Sequence, residues 1–211
     1  MAYAELHALS NFSFLRGASR PEELVQQAAL QGYQALAITD ECSLAGVVKA
    51  HVAAKQCAIK LIVGSEFLAG DEYFDAPLHL VVLAPNRRAY TQLSHLITRS
   101  RRKAAKGSYQ LRAIDFELDC DELIAIWLPQ YEHDNNPVLG GYLKACFEGR
   151  LWVGYCNQLR GQEQQKWLYA KALATLLNIP ITATGGVQMH TAERKPLQDV
   201  LTAIRHNQPV Q

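Results

Sequence analysis

Residues 35–46 read ALAITDECSLAG: a short apolar run, two acids (Asp40 and Glu41), then small residues leading to a glycine. The first five positions have the length and composition of a buried strand, and a helical pattern follows over 43–56. The same alternation extends in both directions. Further β-rich runs lie at AELHALS (4–10), KLIVGSEF (60–67), LHLVVLA (78–84), ELIAIWL (122–128), LWVGYC (151–156) and ITAT (181–184). Helical patterns lie between most of them. One opens at Arg20, with Pro21 in a first-turn position and Glu22 and Glu23 facing the positive end of the helix. The others fall near 87–104, 138–148, 161–178 and 192–206; in the 161–178 stretch Trp167, Leu168, Ala172 and Leu176 recur near helical spacing. Strand, crossover helix and strand in succession build a parallel sheet, so the expected class is α/β, with about seven strands in a barrel or a doubly wound sheet. His7, Asp40 and Glu66 stand at ends of expected strands, where sites of parallel α/β folds gather. Taken singly, each is better explained as a helix cap or a strand terminus; taken together they point to a site.

The composition narrows the function classes. The chain has 211 residues, 49% hydrophobic and 19% charged, which is enough for one sizeable core and unlike a disordered segment. Its formal net charge of +1 creates no global field for nucleic acid, so any DNA contact has to be local or belong to another part of a larger protein. The five cysteines (Cys42, Cys57, Cys120, Cys146, Cys156) are scattered and form no Cys-x-x-Cys pair, which favours a reducing compartment over a disulfide framework. The start MAYAELHALS carries no basic-then-apolar signal, and no apolar run approaches membrane-spanning length. A cytoplasmic location without membrane contact is expected.

Five stretches carry a family resemblance. Glu5-Leu-His7-Ala-Leu9 followed by Arg16-Gly17 resembles the opening motif of PHP (polymerase and histidinol phosphatase) domains, where His-x-His follows the first strand and an acid precedes a glycine. Thr39-Asp40-Glu41 through Gly46 resembles their Thr-Asp-His motif, and Gly64-Ser-Glu66 their Gly-x-Glu. Leu78-His79 before an apolar run, and Thr184-Gly185-Gly186-Val-Gln188, match the two later motifs, the second being Thr-x-Asp-Val-His in the family. Order and spacing agree over essentially the whole chain. The wording LSNFSFLRGAS, DECSLAG and LQDVLTAIR is similar to the error-prone polymerases of the DnaE type. The resemblance therefore implies an irregular parallel β/α barrel of the amidohydrolase-like kind. It also implies that residues 1–211 form a single PHP domain, the N-terminal piece of a much longer polymerase active in translesion synthesis and DNA repair.

Active PHP sites, on that resemblance, hold several divalent metals and hydrolyse phosphoesters, which requires many imidazole nitrogens and carboxylate oxygens to converge. Here His7, Glu66 and His79 keep ligand chemistry at matching positions. Leu9, however, replaces a histidine, Arg16 an acid, Glu41 a histidine, Gly186 an aspartate and Gln188 a histidine. His190 lies two residues beyond the matching position and receives no ligand role. Leucine binds no metal and arginine repels one. The expected result is a vestigial site with no catalytic residue and at most one weakly held divalent ion; the parent polymerase would need magnesium. Arg16 is expected to turn inward and pair with Glu66, Asp40 or Glu41 as the structural cation.

Three weaker patterns compete for attention. Asp119-Cys-Asp121 superficially resembles the paired acids of polymerases, but it sits in an acid-rich approach to a strand (Asp115, Glu117, Asp119, Asp121, Glu122) that reads as a solvated connection. Gly185-Gly186 after a strand is a thin signal for a phosphate cradle. Arg99, Arg101, Arg102, Lys103 and Lys106 form the local candidate for DNA contact, against the plainer reading of a cationic helix C-terminus. Three functions remain in competition: an interaction module of a translesion polymerase, an active phosphoesterase or 3′–5′ proofreading exonuclease, and a free-standing hydrolase of small phosphate esters. Partners implied are the remainder of the polymerase chain, DNA through that parent, the sliding clamp and other translesion accessory proteins.

Overall fold

The computed structural model describes residues 3–71, 76–131, 133–157 and 161–210. Its residues fall into two compact units, the first made of 1–65 and 185–211 and the second of 66–184. In the first unit, β1 (Ala4–Ala8) pairs in parallel with β2 (Ala35–Ile38), which pairs in parallel with the start of β3 (Lys60–Asp71). The register of β1 and β2 shifts between Glu5 and Ala8. Helices α1 (Pro21–Leu30) and α2 (Val47–Gln56) fill the two connections. Pro21 begins α1 as expected, and the Glu23 carboxylate accepts the Arg20 N–H at 2.8 Å, satisfying one amide at that helix entry. Leu24, Val25 and Ala28 of α1 and Ala50, Ala53 and Ala54 of α2 close over Leu36 and Ile38 of the central strand. The alanines let these elements approach closely. Residues 185–211 add a bridge from Ala8 to Val187, a short 3₁₀ turn (Ala192–Arg194) and the last helix, Lys195–His206.

The second unit carries the end of β3, β4 (Ala76–Ala84), α3 (Arg87–Arg102), β5 (Ile124–Trp127), α4 (Asn136–Cys146), β6 (Leu151–Tyr155), α5 (Glu163–Leu177) and β7 (Ile181–Ala183). The helix Lys195–His206 is then α6. Strand neighbours follow chain order from β1 to β7. Among the described pairings of this unit, β4 and β5 run antiparallel, while β5–β6 and β6–β7 are parallel. The core of this unit is aromatic: Phe116 packs 6.4 Å from Phe67 and 5.3 Å from Phe147, centroid to centroid. Trp127 is fully buried against Gly140, where a side chain would collide with the indole.

Two local readings need correction. The helix expected over 43–56 starts at Val47, because Cys42 adopts φ 44° and the Ser43 N–H donates to Ser65 Oγ, which holds the preceding residues in a turn. In α5 the buried positions are Ala170, Leu173 and Ala174, whereas Trp167, Leu168 and Leu176 are exposed.

Candidate functional site

In the first unit the loop after β1 is folded onto the end of β2. Ser10 contributes its N–H to Asp40 Oδ1 at 2.8 Å and its hydroxyl to Oδ2 at 2.7 Å; the Ser13 hydroxyl donates to Oδ1 at 2.7 Å. Ser13 Oγ in turn accepts the Glu41 N–H at 2.9 Å. Asp40 is 1% exposed, so its carboxylate is held by protein donors rather than by water. Burial pushes this carboxyl above its ordinary range, against the donors from Ser10 and Ser13 that favour its ionised form.

The same loop delivers Arg16. Its guanidinium Nη1 lies 2.7 Å from Glu41 Oε2, with the two side chains 11% and 25% exposed. Sequence reasoning named Glu41 among three acids that Arg16 could reach, and this pair is formed. Leu9 is buried at 1% exposure, offering no polar atom at its ligand-like position. Gln188 Oε1 accepts from Gln198 Nε2 at 2.9 Å, and the same Gln198 nitrogen donates to the Arg16 carbonyl at 2.8 Å. The loop is thereby tied to α6. His7 is buried on β1, its carbonyl accepting the Val187 N–H at 2.9 Å. Arg16→Ala is expected to lower stability by about 2 kcal/mol, less than a fully buried pair because water reaches Glu41. Urea denaturation checks this, and a loss below about 0.5 kcal/mol, the size of an exposed pair, would mean the contact is idle.

Two unforeseen features belong to this unit. Glu5, 2% exposed, accepts the N–H groups of His7 and Gly185, each at 2.8 Å. A Cβ at Gly185 would stand 2.2 Å from that carboxylate, so the glycine admits Glu5 and its amide is spent there rather than on a phosphate. Ser19 Oγ is 2.7 Å from His190 Nδ1 and accepts the His190 N–H at 2.9 Å, which gives His190 a local structural role.

In the second unit, Glu66 and His79 face one another on β3 and β4, with Nε2 2.5 Å from Oε1; the glutamate side chain is fully buried and the imidazole 31% exposed. Both offer ligand-type atoms. The acid-rich approach to β5 is solvated but tethered. Arg88 bridges Asp121 and Glu122 at 2.8 and 3.0 Å, and His95 lies 3.1 Å from Asp119, holding that carboxyl below its usual range. Asp115 departs from the solvated reading: it is 8% exposed and paired with Lys103. The basic run is partly committed as well. Arg99 donates to the Leu118 carbonyl and Arg101 stacks 5.4 Å from the Tyr109 ring, while Arg102 and Lys106 are exposed. Only weak DNA binding with steep salt dependence is expected, since few cations remain to release counterions. A filter-binding titration against salt tests this; tight, salt-insensitive binding would contradict it.

The sequence matches the PHP domain family over residues 5–191. The chain belongs to that family. This PHP domain is 50% identical over 209 residues to an error-prone DNA polymerase of Methylococcus capsulatus, and 48% identical over 213 residues to one of Teredinibacter turnerae. Those alignments take in 99% and 100% of the chain but only 19% and 20% of the relatives, so it spans about a fifth of their length. Among solved structures it is similar to a putative metal-dependent phosphoesterase from Bifidobacterium adolescentis, with a TM-score of 0.61, 15% identity and coverage of 90% of this chain and 88% of that one. It is also similar to an amidohydrolase from Chromobacterium violaceum with bound sulfate and no metal, with a TM-score of 0.63, 15% identity and coverage of 92% and 89%. These likenesses show the fold, the expected α/β fold of PHP and amidohydrolase-like proteins. Among the described residues no helix is long and apolar enough to cross a membrane.

Proposed function

We propose that this PHP domain is the N-terminal module of an error-prone, translesion DNA polymerase, and that it is a non-catalytic structural and interaction module rather than a hydrolase. The parent performs template-directed synthesis with magnesium during damage tolerance in the cytoplasm, in company with the sliding clamp and accessory proteins. Support for the polymerase assignment comes from relatives at 44–50% identity that cover 99–100% of the chain.

The observation that carries the non-catalytic reading is the Arg16–Glu41 ion pair, at two positions where the family pattern has an acid and a histidine. A cation built into the protein offsets the acid where a metal would otherwise do so. Leu9 is apolar, Gly186 has no side chain and Gln188 is bonded to Gln198, so this set does not fit a multinuclear metal centre. His7, Glu66 and His79 retain ligand-type side chains, and the domain would bind at most one divalent ion, weakly.

The purified domain is expected to show neither phosphatase nor 3′–5′ exonuclease turnover with manganese or zinc supplied, and to contain less than one bound ion by elemental analysis. The second reading, an active metal-dependent phosphoesterase, has the Glu66–His79 pair in its favour. Turnover that vanishes in Glu66→Ala would establish it.

A further inference from the structure

We propose that the outward face of α6 is the docking seam on which the remainder of the polymerase-length chain packs, an inference that rests on the module reading above. The helix is amphipathic with its sides reversed. Its one buried residue is Gln198, which faces inward to bond the Arg16 carbonyl and Gln188. Leu197, Val200, Leu201 and Ile204 recur at i, i+3, i+4 and i+7, the stripe by which a helix buries itself, yet Leu197, Val200 and Ile204 are 40%, 41% and 58% exposed. Beside them a cleft of about 460 Å³ runs between α6 and the loop after β1, with Phe14, Leu15, Leu197 and Leu201 in its lining and Arg20 and Arg194 among its polar residues. Phe14 stands 82% exposed at this cleft. A contiguous apolar stripe rimmed by polar side chains marks a surface that is covered in the working protein.

The occupant follows from the length of the relatives. Relatives of which this chain makes up about a fifth have four fifths of their length elsewhere. Covalent attachment of such a remainder to this domain would give it a high effective concentration on the seam. The cover is therefore apolar and intramolecular. The seam also has a line to the vestigial site: Gln198 sits on the inner face of α6 and holds the loop that presents Arg16. Docking on the outer face thus steadies the loop on which the Arg16–Glu41 pair depends.

The test uses the full-length natural protein with a benzophenone amino acid at Val200, irradiated at high dilution and mapped by mass spectrometry. Cross-links to residues of the same chain beyond 211 are expected, and a probe at Val48, 72% exposed on α2, is not expected to give them. Cross-links to a second copy, to another protein, or solely within residues 1–211 would overturn the inference. A second readout is Val200→Asp with Ile204→Asp, expected to raise protease cleavage between the domain and the rest of the chain at least fivefold; unchanged cleavage counts against the seam. Primer extension by the same preparation reports on the module reading separately. Synthesis without the expected cross-links sinks the seam alone, whereas a full-length chain without synthesis sinks the reading beneath it.

Discussion

Replacing Gly17 with alanine is expected to destabilise this PHP domain by about 3 kcal/mol or more, the upper range for forcing extra atoms into a packed site. A Cβ at this position would stand 2.0 Å from the Ser10 carbonyl oxygen and 2.3 Å from its carbon, both backbone atoms that no side-chain rotation can move. Retreat of Ser10 is costly because its N–H and hydroxyl both grip Asp40. The loop is further closed by the Asn11 N–H on the Ser19 carbonyl at 2.7 Å and the Gly17 N–H on the Ser13 carbonyl at 3.1 Å. One methyl group therefore pushes on the segment that presents Ser10, Ser13 and Arg16 together. Gly141→Ala on α4 provides the contrast, since nothing lies within 4 Å of its added Cβ and alanine is the better helix former. Urea denaturation of the two variants decides the matter: a Gly17→Ala curve within about 0.5 kcal/mol of the parent, the range of an inert surface change, would mean that the loop yields freely.

The strands were legible because each is a short apolar run bounded by polar or turn residues, and all seven appear where such runs lie. Helix limits and faces were harder to read. The start of α2 depends on a left-handed Cys42 and on a bond from Ser43 to Ser65, 22 residues away, which local propensity does not register. In α5 the large side chains drew the eye, but small ones allow the helix to sit close, so Ala170 and Ala174 are buried while Trp167 and Leu176 look outward. The inward turn of Arg16 was readable because an arginine stands at a ligand position beside acids, but its partner was left open among Glu66, Asp40 and Glu41; the fold selects Glu41. The serine clasp on Asp40 was not, since serines are ordinary loop residues and their partner is 27 and 30 positions away. Glu5 was quoted within a motif without a role, because only the fold brings Gly185 to it across 180 positions.

That clasp makes Asp40→Ala the second large effect, a loss of about 3 kcal/mol, because it leaves one N–H and two hydroxyls without their acceptor in a site closed to water. Asp40→Asn keeps one acceptor oxygen and is expected to cost roughly half as much. The two forms should also separate with pH. Burial raises the folded carboxyl above its ordinary 3.8, so the folded state holds this proton more tightly than the unfolded chain. Asp40's pH-linked contribution is therefore fully present below the unfolded value. It is lost as pH climbs through the raised folded value, while the unfolded chain has already ionised. Asparagine has no such transition. The stability gap between the parent and Asp40→Asn is thus expected to narrow as pH rises from about 4 towards neutrality, and to stay constant once both states are ionised. Denaturation curves collected across that window test the sign directly. A gap that widens with pH would mean that the Ser10 and Ser13 donors outweigh burial and hold Asp40 ionised in the fold.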